Sequence, residues 1–182
     1  ITGPNGGGKT SLLRTILRLQ SPTKGRISFF RQGEPVSSLD MGYLPQKNSI
    51  DSRFPITVEE VVASGLMGNT QKGNTKFDSK KEIDEMLDLM GITALRNKPI
   101  GVLSGGQLQR SLFGRALISK PEMLILDEPA SYIDRQFGNR MFEILRDLSS
   151  NGTTIMMVSH EIEPFITLSN RNLYINHILG DR

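Results

Sequence analysis

The sequence predicts an α/β fold with a mostly parallel sheet, and two patterns in its apolar residues support this prediction. Short, largely apolar runs such as Met123–Leu126 and Thr154–Val158 have the length of buried strands. Between such runs apolar residues recur at helical spacing, for example over Phe137–Leu148. A glycine-rich loop, Gly3–Gly8, directly precedes another stretch with helical spacing. Strands and helices that alternate along a chain are typical of a parallel sheet covered by helices.

In the first half of the chain we expect a helix, two strands and a second helix. The helix after the glycine-rich loop ends at Ser21–Pro22, because proline disrupts helical hydrogen bonding. Strands are predicted over Gly25–Phe30 and Met41–Gln46. Thr57, followed three residues later by Glu60, forms a capping box that predicts the start of the next helix.

Two more capping boxes predict helix starts in the middle of the chain. Ser79 with Glu82 predicts one start, and Ser104 with Gln107 predicts another, for a helix that runs to Pro121. A last strand is predicted around residues 172–178, after a short helical piece.

The chain has 182 residues, which is enough for one domain with a substantial core and short for two. We expect one domain over residues 1–182, with a helical insert over approximately residues 51–101. Ile1 is not an initiator methionine, and a loop that normally follows a strand begins two residues later. We therefore expect this chain to be an internal fragment that lacks the N-terminal strands of its domain.

Composition excludes several classes of function. The net charge is only +3 and no dense basic run occurs, so nucleic acid is not expected as a partner. The chain has no cysteine, which excludes disulfides and thiol catalysis. No apolar run approaches the roughly 20 residues that a membrane-spanning helix needs.

The glycine-rich loop together with Lys9 and Thr10 predicts a nucleotide phosphate site. Glycines let backbone N–H groups converge on phosphate oxygens, and the following helix adds its positive end. Lys9 is expected to reach the β and γ phosphates, and the Thr10 hydroxyl to bind Mg²⁺. The alternative, a simple glycine-rich turn before a helix, does not require Lys-Thr at this spacing. The residues of this phosphate loop are Gly3, Pro4, Asn5, Gly6, Gly7, Gly8, Lys9, Thr10 and Ser11.

Acidic and polar residues follow the predicted strands, where α/β sheets place their ligands. Asp127 ends a buried strand and is expected to hold Mg²⁺, and Glu128 is expected to polarise a water for attack on the γ phosphate. The alternative is an acidic helix cap after a core strand. Gln46 and His160 also end strands, and a lone residue of either kind is more often structural. Their position where loops should meet the phosphate site favours contact of Gln46 with Mg²⁺ or water and of His160 with the γ phosphate.

The segment Ser104–Gln107 combines a capping box with two consecutive glycines. A capped helix start alone would explain the serine and the glutamine. Two glycines in a first helical turn, however, cost roughly 1 kcal/mol each relative to alanine. They are explained if the backbone approaches another molecule closely, with free N–H groups facing an anion.

These motifs together resemble a known family. The tracts GPNGGGKT, LPQ, LSGGQLQR, LILDEP, SYID and VSHE occur in the order and spacing of the nucleotide-binding subunits of ATP-binding cassette (ABC) transporters. The resemblance covers essentially the whole chain and implies a P-loop NTPase fold with an ABC-type ATPase core. The tracts YLPQKNSIDSRFPITVEEVV and KPIGVLSGGQLQR look most like the zinc or manganese importer branch.

The resemblance implies a role for each matching residue. It implies that ATP and Mg²⁺ bind at Gly3, Gly8, Lys9 and Thr10 (Walker A), Gln46 (Q-loop), Asp127 (Walker B), Glu128 (catalytic base), Asp134 (D-loop) and His160 (switch histidine). The signature motif, residues 103–107, contacts the ATP of the opposite subunit in this family, through Ser104, Gly105, Gly106 and Gln107. In the D-loop, SYID departs from the commoner Ser-Ala-Leu-Asp.

The resemblance also implies partners and a location. It implies a head-to-tail homodimer at the cytoplasmic face of the membrane, bound to integral membrane permease subunits and served by an extracytoplasmic solute-binding protein. The aromatic residue that stacks on adenine normally precedes Walker A, so the isolated 182-residue piece is expected to bind nucleotide weakly or to fold poorly. Two alternatives stay open: a soluble ABC-type ATPase acting in translation or DNA maintenance, and a nucleotide-gated regulatory module without turnover.

Overall fold

The fold is built from short strands and helices that alternate along the chain. Its structure, a computed structural model, describes residues 1–46, 54–67, 76–159, 169–176 and 179–181. The strands within these residues are β1 (Phe29–Arg31), β2 (Glu34–Val36), β3 (Met41–Leu44), β4 (Met123–Asp127), β5 (Thr154–Val158), β6 (Leu173–Ile175) and β7 (Leu179–Asp181). The α-helices are α1 (Lys9–Ile16), α2 (Val58–Ala63), α3 (Lys76–Leu89), α4 (Gly105–Leu117) and α5 (Arg135–Ser150). Turns of 3-10 helix cover Ser64–Leu66, Thr93–Leu95 and Ile100–Val102.

A parallel sheet with the strand order β3-β4-β5 forms the centre of the fold. Leu44 in β3 lies opposite Leu126 in β4, and Asp127 lies opposite Val158 in β5. Because the strands are parallel, their carboxyl ends meet at one edge of the sheet. This edge is where the sequence places Asp127 and Glu128.

The first two residues lie between β5 and β6. The amino group of Ile1 donates to the carbonyl of Met157 over 2.6 Å, and Thr2 bridges Tyr174 in the parallel sense. The N–H of Ile175 donates to the carbonyl of Thr2 over 2.8 Å. The phosphate loop therefore begins at the same sheet edge, next to the carboxyl end of β5.

Both faces of the sheet are covered by apolar side chains, as expected for parallel strands. All five residues of β4 are buried. Leu124 and Leu126 belong to a large cluster that includes side chains of α2, α3, α4 and α5. Met123 and Ile125 belong to a second cluster, together with Leu13 of α1. The two clusters fix α1 on one face and the remaining helices on the other.

Two of the three predicted capping boxes are confirmed. Glu60 N–H donates to the Thr57 hydroxyl over 3.3 Å, and the Thr57 N–H donates to the Glu60 carboxylate over 2.8 Å. At α4, Gln107 N–H donates to the Ser104 hydroxyl over 3.3 Å, and the Ser104 N–H donates to the Gln107 side chain over 2.9 Å. A Ser or Thr cap of this kind contributes about 1 kcal/mol to helix stability.

The third predicted capping box, Ser79 with Glu82, is wrong. Helix α3 begins at Lys76, so Ser79 lies inside the helix rather than at its start. The pattern of a serine followed by a glutamate three residues later also occurs in helix interiors, and only the conformation of the preceding residues separates the two cases. The Glu82 carboxylate lies 3.9 Å from the ammonium of Lys120.

Two strand predictions change in the structure. The strand predicted over Gly25–Phe30 covers only its last two residues and Arg31, and β1 pairs with β2 as an antiparallel hairpin. Gln32 and Gly33 turn the chain between them with φ values of 52° and 87°, the signs that a tight hairpin turn requires. The single strand predicted around residues 172–178 is instead the start of the antiparallel pair β6 and β7.

The helical segment before α4 packs on the sheet through α4. Val62 of α2, Leu87 of α3 and Leu112 of α4 belong to the same buried cluster as Leu126. The proposed insert over residues 51–101 therefore shares a core with the rest of the chain, and its status as a separate subdomain stays a prediction. None of the described helices is long and apolar enough to cross a membrane.

Candidate nucleotide site

The phosphate loop directs the start of α1 toward the sheet edge. Helix α1 begins at Lys9, and its N-cap, Gly8, has a φ of 100° and no side-chain cap. The first N–H groups of an α-helix have no acceptor inside the helix, and Gly8 at the N-cap position has no side chain that could accept from them. Within the loop, Gly7 N–H donates to the carbonyl of Pro4 over 3.1 Å, which closes a tight turn. The uncovered N–H groups at the start of α1 are suited to bind an anion.

The glycines of the loop are required for two different reasons. A Cβ atom at Gly3 would lie 1.9 Å from the carbonyl oxygen of Ile175, and one at Gly7 would lie 2.9 Å from it. These two glycines therefore allow the loop to rest on the backbone of β6. Gly6 and Gly8 have φ values of 76° and 100°, which side chains rarely adopt. The sequence predicts that the loop needs glycines, but it does not predict their contact with β6.

Lys9 is buried beneath the loop. Its ammonium group donates to the carbonyl oxygens of Gly3 and Pro4, each over 2.9 Å. Only 7% of the residue is exposed. The positive charge is therefore held against the loop backbone, next to the uncovered N–H groups of α1. Pro4, Asn5 and Ser11 are exposed at the surface of the loop.

The hydroxyl of Thr10 donates to a carboxylate oxygen of Asp127 over 3.2 Å. Asp127 is 2% exposed. Burial raises the pKa of Asp127 above its ordinary value, whereas the hydrogen bond from Thr10 and the charges of Lys9 and Arg14 lower it. A hydroxyl and a carboxylate side by side are hard oxygen donors of the kind that Mg²⁺ prefers. The donor set therefore fits the predicted ion.

Glu128 begins a turn directly after β4. Its backbone has a φ of 53°, a left-handed conformation that is uncommon for residues other than glycine. The N–H of Glu128 donates to the carbonyl of Val158 in β5 over 2.9 Å. The carboxylate thus follows Asp127 immediately, at the carboxyl edge of the sheet, on a turn whose backbone is constrained.

Gln46 and His160 are the two remaining residues that the sequence predicts for the nucleotide site. Gln46 is exposed and lies two residues beyond the end of β3, the strand next to β4. Ser159, the residue before His160, is buried, and its N–H donates to the carbonyl of Ile1 over 3.3 Å. His160 itself lies outside the described residues.

The signature segment lines a separate cleft. This cleft has a volume of about 580 Å³ and is lined by Ser104, Gly105, Gly106, Gln107, Arg110, Gly91, Ile92, Leu95, Tyr132 and Asp134. Among the described residues, its lining includes none from the phosphate loop. One chain therefore carries two distinct candidate anion sites, and only the phosphate loop has a lysine.

Gly106 contacts the turn that follows Glu128. A Cβ atom at Gly106 would lie 2.8 Å from the carbonyl oxygen of Tyr132, whose φ is 69°. The sequence suggests that the signature glycines admit another molecule. At Gly106 a segment of the same chain already requires the absence of a side chain. The approach of a second molecule at this position stays a prediction.

Asp134 links the signature helix to α5. Its carboxylate accepts a hydrogen bond from Phe137 N–H over 2.9 Å, which caps α5, and it pairs with the guanidinium of Arg110. That guanidinium also lies over the Phe137 ring, 4.4 Å from its centroid. The hydrogen bond from Phe137 and the pairing with Arg110 lower the pKa of Asp134.

Sequence reasoning missed Arg110 and also Gln109. Gln109 is 1% exposed, and its amide nitrogen donates to the carbonyl of Pro129 over 3.3 Å. Glutamine on a helix is most often a surface residue, so the sequence contains no signal for this buried contact. Arg110 follows a glutamine in a polar stretch and is equally inconspicuous.

Comparisons with known proteins agree with the motifs. The profile of the family described as ABC transporter matches residues 1–131. A metal transport system ATP-binding protein of Chlamydia pneumoniae is 40% identical over 98% of this chain and 74% of its own length. The zinc uptake system ATP-binding protein ZurA of Listeria monocytogenes is 38% identical over 99% of this chain and 70% of its own length. The zinc import ATP-binding protein ZnuC of Hydrogenovibrio crunogenus is 33% identical over 98% and 68%.

Solved structures share the fold. A metal-chelate type ABC transporter in an inward-facing conformation superposes with a TM-score of 0.75 at 26% identity, covering 100% of this chain and 71% of that one. A dimeric ATP-binding cassette in a post-hydrolysis state with ADP and Pi superposes with a TM-score of 0.81 at 23% identity, covering 99% and 83%. These likenesses confirm the predicted fold class, a P-loop α/β core with a parallel sheet.

Proposed function

Because this chain belongs to the ABC transporter family, we propose that it is the ATP-hydrolysing subunit of a metal-ion importer, with zinc as the first candidate substrate. The proposed ATPase activity rests on one observation: Thr10, at the end of the phosphate loop, donates a hydrogen bond to the buried Asp127. Support for the metal ion comes from relatives that are named as zinc and metal transport proteins over nearly the whole chain.

The phosphate loop would bind the triphosphate of ATP. Lys9 lies at the start of α1, so that its ammonium and the uncovered N–H groups would share the negative charge of the β and γ phosphates. Thr10, Asp127 and Gln46 would hold Mg²⁺, the first two through the oxygen pair described above. When bound, Mg²⁺ neutralises charge that develops on the transferred phosphoryl group.

Glu128 would act as the general base. Its carboxylate would orient a water for in-line attack on the γ phosphorus and accept a proton from it. A new bond would form between the water oxygen and the γ phosphorus. The bond between the γ phosphorus and the β–γ bridging oxygen would break, and that oxygen would leave with ADP. His160, which follows Ser159 in the sequence, would contact the γ phosphate.

A second copy of the chain would complete each site. The signature cleft, with Ser104, Gly105, Gly106 and Gln107, would receive the ATP held by the phosphate loop of the partner. Asp134, which lines the same cleft, would lie at the junction between the copies. The separation of the cleft from the phosphate loop within one chain supports this arrangement. The absence of a lysine in the signature supports it too, since the partner would supply one.

The importer would need further subunits. Permease subunits in the membrane would form the path, a solute-binding protein outside would deliver the metal ion, and this subunit would sit on the cytoplasmic face. The relatives are named as metal transport proteins, which argues against a soluble ATPase that acts in translation or DNA maintenance.

Co-purification with the membrane subunits tests this proposal. The intact protein is purified together with its permease in lipid nanodiscs, and ATPase turnover is measured with solute-binding protein loaded with Zn²⁺, with Mn²⁺ or with no metal. We expect metal-loaded binding protein to raise turnover several-fold. A complex that carries Lys9→Met is the control and should be inactive throughout. Turnover that is no higher with metal-loaded than with metal-free binding protein would contradict the metal assignment, and turnover that survives Lys9→Met would contradict the site.

A further inference from the structure

We infer that Gln109 is a positioning residue for Glu128, acting through a buried hydrogen bond to the turn that carries this carboxylate. The inference rests on the proposed role of Glu128 as general base. The amide nitrogen of Gln109 donates to the carbonyl oxygen of Pro129, the residue directly after Glu128, over 3.3 Å. Gln109 lies in α4, the helix that begins at the signature.

The burial of Gln109 at this position costs free energy. It is 1% exposed, and its side-chain oxygen has no hydrogen-bond partner among the described residues. A buried polar atom without a partner destabilises a fold, whereas an apolar side chain of similar volume carries no such penalty. Stability alone therefore does not account for glutamine here, and the hydrogen bond to Pro129 is a contact that an apolar side chain could not make.

That hydrogen bond acts on a strained turn. Glu128 and Tyr132 both have left-handed backbone conformations, with φ values of 53° and 69°. Such conformations persist where the surrounding structure fixes them. Pro129 has no N–H group, so its carbonyl is the only hydrogen-bonding group of its backbone. Gln109 donates to this carbonyl, and the N–H of Glu128 donates to the carbonyl of Val158.

The same face of α4 contacts the turn at further points. Gly106, three residues before Gln109, packs against the carbonyl of Tyr132, and Arg110 pairs with Asp134. Residues three and four apart lie on one face of a helix. The turn is therefore attached to the signature helix along its length, and Gln109 makes the attachment nearest to Glu128.

The substitution Gln109→Met tests this role in the intact protein. Methionine has a similar length and removes both the donor and the unpartnered oxygen, so the fold should keep or gain stability. We expect kcat for ATP to fall by about 10-fold to 100-fold, because small misplacements of a catalytic group have effects of this size. The affinity for ATP should stay unchanged. The thermal unfolding midpoint should stay unchanged or rise. Gln20→Met, at an exposed position, is the matched control and should leave all three quantities unchanged.

A double variant separates positioning from a general structural effect. If Gln109 acts through Glu128, then adding Gln109→Met to Glu128→Gln should not reduce the residual single-turnover rate further. An unchanged kcat in Gln109→Met would overturn the inference. A lower unfolding midpoint, or an equal further loss in the Glu128→Gln background, would overturn it as well. Full activity of Glu128→Gln alone would instead refute the proposed role of Glu128.

Discussion

The hydroxyl of Thr10 reaches the carboxylate of Asp127 over 3.2 Å and joins the start of α1 to the end of β4. Hydrogen bonds to charged groups contribute about 1.5–3 kcal/mol. Thr10→Val preserves the shape of the side chain and removes the hydroxyl. We expect the affinity for MgATP to fall by about 10-fold or more, because the variant loses both this contact and the proposed Mg²⁺ ligand. Calorimetric titration with MgATP, and with ATP in excess EDTA, measures the effect, which should be confined to the Mg²⁺ condition.

Thr15→Val is the matched control for this experiment. The Thr15 hydroxyl donates to the carbonyl of Ser11 in the same helix over 2.7 Å, away from Asp127. We expect nearly unchanged MgATP affinity in this variant. Equal losses in Thr10→Val and Thr15→Val would show that α1, rather than the Mg²⁺ site, is disturbed.

The contact between Gly106 and Tyr132 predicts an unusual result for a helix glycine. Replacing a helix glycine by alanine normally stabilises the helix by about 1 kcal/mol. At Gly106 the new Cβ would lie 2.8 Å from a backbone carbonyl oxygen, and overpacking of this kind costs about 1–3 kcal/mol. We expect Gly106→Ala to lower the free energy of unfolding, as measured by urea denaturation.

Gly138 in the first turns of α5 provides the opposite case. A Cβ there would lie 3.8 Å from the side chain of Ile133, an ordinary van der Waals contact. We expect Gly138→Ala to raise the free energy of unfolding by about 0.4–1 kcal/mol. If both alanine variants shifted stability in the same direction, the close approach at Gly106 would not control the outcome.

The pairing of Asp134 predicts a dependence of stability on pH. The pKa of this carboxyl is lowered from 3.8, first by the hydrogen bond from Phe137 N–H and then by Arg110. A carboxyl with a lowered pKa stabilises the folded state above its ordinary pKa, and this stabilisation is lost as pH falls through the folded-state pKa. Asp134→Asn keeps a capping oxygen but carries no charge. We expect the original protein to be more stable than the variant near neutral pH, the difference to shrink as pH falls below about 4, and to vanish only below the lowered folded-state pKa of Asp134.

Thermal unfolding of both proteins across this pH range provides the measurement. Asp147→Asn, on the same helix, is the control. The Asp147 carboxylate is 72% exposed and lies 3.9 Å from the guanidinium of Arg146. Exposed pairs of this kind contribute little. A difference that persisted at pH values where Asp134 is protonated would show that its charge is not the cause.

The two separate anion sites predict the behaviour of Glu128→Gln. This variant should bind MgATP and hydrolyse it only at a low residual rate, so that two copies stay closed around two nucleotides. Size-exclusion chromatography of the intact protein at saturating MgATP should then show a dimer, and without nucleotide a monomer. Adding Ser104→Arg, which places a bulky side chain in the signature cleft, should abolish the dimer. A monomer at saturating MgATP in Glu128→Gln itself would contradict the proposed assembly.

The parts of the fold that depend on local patterns were predictable. The run Met123–Asp127 is apolar up to its last residue, and it forms the fully buried strand β4. The capping boxes at Thr57 and Ser104 involve residues three apart, so the sequence contains both partners. The proximity of Thr10 and Asp127 followed from the general rule that parallel strands end at one edge.

The parts of the fold and of the site that depend on contacts between distant residues could not be predicted. Strand β2 consists of Glu34, Pro35 and Val36, and two of these residues disfavour strands. Its partner β1 fixes it as a strand, and no local pattern reports that pairing. Gln109 is polar and lies on a helix, and only the turn after Glu128 explains its burial. The contact of His160 with the γ phosphate stays a prediction from the sequence.

The contact between the phosphate loop and β6 determines when the nucleotide site can form during synthesis. The loop rests on the backbone of Ile175, and Gly3 approaches it so closely that no side chain fits between them. During synthesis the loop leaves the ribosome long before β6 does, and domains generally fold as units. A nascent chain therefore carries the whole phosphate motif without the surface that shapes it. The capacity to bind nucleotide should therefore arise only after β6 has emerged, and shorter nascent chains should not bind ATP.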